Sequence, residues 1–387
     1  MATMGNMERV LRLMADKNAS DIFISANAPV LIKINGNMMP VNQQLMTADT
    51  CLVLLKEILN DAQIEELMQV GEMNTSFALP GVGNYRVSVM RQRGTYAAVL
   101  RYIPVTVPPL ESLGLPTKTL SELVMRKRGL ILMVGATGSG KSTSLAAMLD
   151  DRNQQQISHM LTIEDPIEYI FTNKRSIINQ REIGTDTVNR QIALKNAMRQ
   201  APDVILVGEI RDRETMSASL AYAQSGHLCL ATMHASNSYQ ALNRILTFYP
   251  EEVRPTLRGD LASAMAAIVS QRLMRTVDGK RVPACEVLLN SKLVSELIEK
   301  GDIFGVKEAM VKSMTEGSQT FEEDIARLVQ SGRVARAEGL LHADSPTNLL
   351  WRLQNTSPVS QTNSLASTRA DEGPEVLFSE ITLDMGD

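Results

Sequence analysis

The spacing of hydrophobic and polar positions changes character along the chain. Near the start Met7, Val10, Leu11 and Met14 recur at three, one and three residues, which predicts a helix over 4–16. Short strands follow at 21–25 and 30–34, and Asn35–Gly36, both tolerant of positive φ, predicts a tight hairpin onto 38–41. Residues 47–70 read as a helical pair with Thr47 as N-cap. Strands at 75–79, 84–91 and 95–103 then form a meander punctuated by Gly81, Gly83 and Gly94. Residues 1–103 are therefore expected to be a small α+β domain.

Prolines at 104, 108, 109 and 116 mark 104–118 as a linker. Beyond it, wholly apolar runs at 130–134, 160–163, 204–207 and 228–232 alternate with helical stretches. Strands buried on both faces read this way, so 119–290 predicts an α/β unit with a parallel sheet and crossover helices. Residues 291–343 return to helical stripes, one of Ile303, Val306, Met310 and Met314, the other of Phe321, Ile325, Leu328 and Val329. From 344 to 387 the composition shifts to Ser, Thr, Asn and Pro, which predicts a disordered tail with apolar islands at 349–353 and 376–378.

Composition narrows the function classes. With 387 residues, 44% hydrophobic and 21% charged, the chain is globular rather than fibrous or disordered. Its 39 basic and 43 acidic residues give a net charge of -4, and no basic aromatic stripe is evident, so no nucleic-acid partner is expected. The 22 Met residues follow helical periods and read as core filler. Cys51, Cys229 and Cys285 form no CxxC, which points to a reducing cytoplasm without disulfides or zinc. No apolar run approaches the roughly 20 residues of a membrane span, and the N-terminus has no signal core. Membrane association is expected only through partners.

Chemistry concentrates after the first apolar strand. Gly135-Ala136-Thr137-Gly138-Ser139-Gly140-Lys141-Ser142-Thr143 matches G-x-x-x-x-G-K-[ST]. Glycines let backbone N–H groups close around phosphate oxygens, Lys141 supplies charge for the β- and γ-phosphates, and Ser142 offers a hydroxyl to Mg²⁺. The following helix aims its positive end at the same phosphates. ATP with Mg²⁺ is the expected cofactor. Hydrolysis needs acids as well, one to steer the metal and one to position water. Glu164, in Thr162-Ile-Glu-Asp-Pro-Ile-Glu168, and Glu209, in 203–212, both stand at strand ends where α/β sheets bind ligands. They are candidates for these roles, with solvated loop acids as the alternative. His227 and His234 flank the run 228–232, and position brings only His234 toward the site. Arg86 and Arg101 could neutralise phosphate across a domain or subunit boundary, or be solvated strand arginines.

Four boxes in this order, GATGSGKST, TIEDPIEY, APDVILVGEIRD and SGHLCLATMHASNS, resemble the type II/IV secretion-system ATPase superfamily. More narrowly they are similar to its PilT/PilU branch, the type IV pilus retraction ATPases, over about residues 5–335, including ASDIFIS and LESLGLP. The resemblance implies a PAS-like N-terminal domain, a RecA-like ATPase domain and C-terminal helices, with nucleotide between the two domains. It implies a cytoplasmic homo-hexamer docked on the inner-membrane platform protein of the pilus machine, where ATP hydrolysis drives pilus retraction and twitching motility. Carried over by position, Lys141 and Ser142 are P-loop contacts, Glu164 is the catalytic glutamate, and Glu209 ends the Walker B segment on the metal side. His227 and His234 fall in the His box, which implies that His227 contacts nucleotide and His234 takes part in hydrolysis, and Arg86 and Arg101 match arginines that reach the phosphates.

The chain also departs from the PilT pattern. GVKEAMVKS at 305–313 stands where AIRNLIRE is expected, Arg199-Gln200-Ala201-Pro202 replaces R-E-D-P, and a tail follows 344. These features resemble the PilU group, accessory members that work with a PilT-like ATPase. Two functions follow: a motor that drives or assists retraction, or a nucleotide-binding subunit that couples to a PilT motor and adds little force.

Overall fold

The computed structural model describes residues 5–34, 36–103, 106–312 and 315–355. Met4, Asn35, Pro104, Met314 and the island at 376–378 lie outside the described residues.

The first domain runs α1 (Asn6–Asp16), β1 (Asp21–Ile24), β2 (Leu31–Ile34), β3 (Asn37–Pro40), α2 (Ala48–Lys56), α3 (Asp61–Val70), β4 (Glu72–Leu79), β5 (Gly83–Gln92) and β6 (Thr95–Ile103). Its six strands lie in the order β3-β2-β1-β6-β5-β4, every neighbouring pair antiparallel. Met7, Leu11 and Met14 are fully buried on one stripe of α1 and pack with Ile22, Val87 and Leu100 of the sheet. Tyr85 joins this core because its hydroxyl donates to Leu11 O at 3.0 Å. Thr47 caps α2 by accepting from Thr50 N at 3.1 Å.

The second unit runs α4 (Thr117–Val124), β7 (Gly129–Val134), α5 (Lys141–Gln155), β8 (His159–Glu164), β9 (Ile177–Glu182), α6 (Arg190–Ala197), β10 (Val204–Val207), α7 (Arg213–Gln224), β11 (Leu228–Met233), α8 (Ser238–Thr247), α9 (Arg254–Ala264), β12 (Met265–Arg275) and β13 (Arg281–Leu289). The strand order is β13-β12-β7-β11-β10-β8-β9, parallel except for the antiparallel β13. α4 and α5 cover one face, while α6 to α9 cover the other. Alternation along the strands serves both: Leu130 and Leu132 join one core, Ile131 and Met133 the other.

Two expectations change. The linker range 104–118 contains a 3₁₀ turn at Leu110–Leu113 and the start of α4, because Leu110, Leu120, Leu123 and Val124 bury against α5. The tail range begins with a helix rather than disorder. After α10 (Lys292–Lys300) and α11 (Ile303–Lys312), a compact trio of α12 (Phe321–Gln330), α13 (Arg336–His342) and α14 (Pro346–Asn355) packs on the β12–β13 ribbon. The island at 349–353 is part of that core: Leu349 is 0% exposed beside Phe321, Ile325 and Leu328, and Arg352 pairs with Glu323 at 2.9 Å. Among the described residues no helix is long and apolar enough to cross a membrane.

Candidate functional site

β7 ends at Val134 and the chain turns through Gly135–Gly140 into α5. Gly140 has φ +90°, and a Cβ there would meet Gln271 Nε2 at 2.7 Å, so both backbone and space require glycine. Gln271 braces this turn from β12. Its Nε2 donates to Ser139 O at 2.8 Å and its Oε1 accepts from Ser144 Oγ at 2.7 Å. Lys141 opens α5 with its ammonium folded over the loop, donating to Gly135 O at 2.8 Å and Ala136 O at 2.9 Å. Burial pushes the Lys141 pKa down, against the attraction of Glu209 and Glu168.

A cleft of about 580 Å³ opens beside the loop, with Lys141, Ser142, Glu164, Glu209, His234 and Arg86 on its walls. Thr137, Gly138, Gly140 and Thr143 line it too. Gly135, Ala136 and Ser139 face a second, larger cavity of about 1230 Å³ on the other side of the loop, which also touches Thr137 and Gly138.

Glu164 is the last residue of β8 and is 9% exposed. Its Oε1 accepts from Thr162 Oγ1 at 2.6 Å and from Gln180 Nε2 at 3.3 Å. Burial outweighs these bonds and raises its carboxyl to about 7. Gln180 also donates to Tyr169 O at 2.8 Å, and the Tyr169 hydroxyl lies 2.9 Å from Thr143 Oγ1. Glu164 and the first turn of α5 are thus tied to one loop.

Glu209 follows β10. Arg211 Nε donates to its Oε2 at 2.6 Å, and His234 Nε2 lies 3.0 Å from its Oε1. His234 arrives from the end of β11, parallel to β10 and one strand away. His227 precedes the other end of β11, about 20 Å off at the rise of a strand. There its ring bonds Ser225 and Tyr222, and it lines neither cavity. The expectation that His227 contacts nucleotide is corrected on that ground.

Arg86 and Arg101 pair directly across β5 and β6. Only Arg86 lines the cleft. Arg101 lies outside this chain's cleft and is turned to Asp21, to which its Nε donates at 2.7 Å.

These groups fit a nucleoside triphosphate with its metal. A glycine-rich turn, a buried ammonium and a helix N-terminus meet at one place. Among the described residues no cluster of three or more His, Cys, Asp or Glu could hold a metal by itself. Mg²⁺, which keeps waters and phosphate oxygens in its shell, would find Ser142 and Glu209 at hand. Sequence reasoning did not single out Arg211, Gln180 or Gln271. Arg211 stood in a quoted box two residues from Glu209, whereas a lone Gln carries no signal.

A sequence profile described as "Type II/IV secretion system protein" matches residues 4–367. The chain belongs to that family. It is 43% identical over 361 residues to the type IV pilus ATPase PilU of Pseudomonas aeruginosa, covering 92% of this chain and 94% of that one. It is 34% identical to the type IV pilus retraction ATPase PilT of the same organism, over 89% of this chain and 99% of the relative. A crystal structure of the pilus retraction motor PilT with bound ADP superposes with a TM-score of 0.83 at 36% identity, over 89% of this chain and 99% of the other. As a member of this family the chain carries the α/β fold of a secretion ATPase preceded by a small antiparallel-sheet domain.

Proposed function

We propose that the chain is a Mg²⁺-dependent P-loop ATPase whose turnover drives or assists retraction of a type IV pilus. The observation that carries this is the convergence of Lys141, Ser142, Glu164, Glu209 and Arg86 on one cleft from two domains. The similarity to PilU and PilT supplies the pilus context.

In this reading the amides of 135–140 and Lys141 hold the β- and γ-phosphates. Ser142 and Glu209 orient the metal, whose charge polarises the γ-phosphate when bound. Glu164 takes the proton of the attacking water, for which a carboxyl near 7 is well matched. Arg86 brings positive charge from the first domain as negative charge builds on the phosphoryl oxygens. His234 holds Glu209 in place before the metal arrives. Because Arg86 sits on β5 and Lys141 on α5, nucleotide pulls the two domains together, and hydrolysis releases that pull. A homo-hexamer, a PilT-like partner ATPase and the inner-membrane platform protein complete the proposed assembly at the cytoplasmic face of the membrane.

The test is Mg-ATPase turnover of the purified chain, alone and mixed with a PilT-like ATPase, with Glu164→Gln as control. Turnover alone, lost in the control, supports a motor. A second reading, an accessory subunit, draws on the length of this chain not covered by PilT; turnover only in the mixture would favour it. Normal turnover by Glu164→Gln would remove the role given to Glu164.

A further inference from the structure

The loop that leaves β11 brings His234 to the cleft and is then gripped at three consecutive residues. Ser236 O accepts from Arg272 Nη2 at 3.0 Å. Asn237 Nδ2 donates to Asp344 Oδ2 at 2.7 Å, while Asn237 Oδ1 caps α8 by accepting from Gln240 N at 2.9 Å. Ser238 N donates to Glu286 Oε1 at 2.7 Å, and Ser270 Oγ donates to the same oxygen at 2.8 Å. Asp344 closes the set, because its Oδ1 pairs with Arg272. It stands between α13 and α14, 107 residues from Asn237. Arg272 is further fixed by the carbonyl of His342 and lies 3.9 Å over the Phe321 ring.

The pair is mostly withdrawn from water, with 19% of the Arg272 side chain and 17% of Asp344 exposed. Bonds between charged groups in such a setting are strong, and loss of one partner leaves the other uncompensated. Arg272 has a second connection along its strand, since its neighbour Gln271 holds the P-loop from the opposite face of β12.

We infer that Asp344 is a positioning residue for the nucleotide site. By holding Arg272 and Asn237 it fixes the 234–238 loop, and with it the approach of His234 to Glu209. The C-terminal helices thereby set the geometry of hydrolysis without touching nucleotide. This rests on the ATPase reading above.

The experiment compares the full chain with Asp344→Ala and Asp344→Asn. It measures kcat and KM for Mg-ATP and amide hydrogen exchange over 234–241. The Ala variant is expected to lose kcat by about tenfold, in the range seen when small misplacements disturb a site, with KM within about twofold because the P-loop is untouched. Exchange over 234–241 is expected to quicken by a similar factor. Asp344→Asn keeps the shape, guards against a folding defect, and should fall between the parent and Ala. Unchanged kcat, or unchanged loop exchange, in both variants overturns the inference. A parent without turnover would instead overturn the ATPase reading; loop exchange would then still decide whether Asp344 holds the loop.

Discussion

Arg86 and Arg101 face each other across one rung of the β5–β6 ladder, yet they serve different ends: Arg86 reaches the cleft, and Arg101 neutralises Asp21. Arg86→Ala should therefore lower kcat on the order of 100-fold, at the low end for a cation that meets phosphate charge in the transition state. Arg101→Ala should leave kcat within about twofold and lower the melting temperature instead, because Asp21 is 4% exposed and loses its cation. Steady-state kinetics and thermal unfolding of both variants separate the two. Equal losses of kcat would show that Arg101 also works at the site.

Glu164 predicts a pH profile. A general base acts when ionised, so kcat/KM should rise with pH and level off above about 7, the value to which burial raises this carboxyl. Below that point it should fall about tenfold per pH unit. The Thr162 hydroxyl stabilises the ionised form and lowers the pKa. Thr162→Val should therefore move the midpoint upward. A midpoint that stays put or moves down would contradict this account of the site.

Gln271 gives a prediction about binding alone. Its amide bridges Ser139 and Ser144, one on each side of Lys141. Gln271→Ala leaves the buried Ser139 carbonyl short of a donor, at about 1–3 kcal/mol, while the Ser144 hydroxyl keeps Gly140 O as its acceptor. ATP affinity, read by fluorescent-nucleotide titration, should weaken roughly tenfold. Titration curves that overlay those of the parent would count against the brace.

Leu349 tests the last helix. It is fully buried against α12, so Leu349→Ala should cost about 2–5 kcal/mol in the core that it shares with Phe321 and Ile325. Chemical denaturation followed by Trp351 fluorescence reports on that region. An unshifted midpoint would mean that α14 adds nothing to the fold.

Much of the fold was legible because its signals are local. The apolar runs at 130–134 and 204–207 announced β7 and β10, and the P-loop announced its own context. β12 was not foreseen, because Ala264, Met265, Ala266 and Ala267 are good helix formers and α9 passes into the strand with no Gly or Pro between them. β9 has four polar residues in six, and pairing with β8 rather than composition makes it a strand. At the site, Lys141, Glu164 and Glu209 declared themselves by motif. The separation of Arg86 from Arg101 did not, because it depends on Asp21, 80 residues away in sequence. His227 shared a box with His234, but six residues of extended chain carried the two to opposite ends of the sheet.

The adjacency of Gln271 and Arg272 makes the parity of β12 a functional quantity. Successive side chains on a strand leave by opposite faces, so one residue of slippage exchanges every inward and outward position. A slip of β12 against β7 would present a guanidinium to the P-loop and an amide to the C-terminal helices, and would exchange Ile268 and Val269 between the two cores as well. The spacing of two neighbouring letters thus carries the alignment between energy source and appendage, and insertions in this strand should be tolerated far less well than substitutions along it.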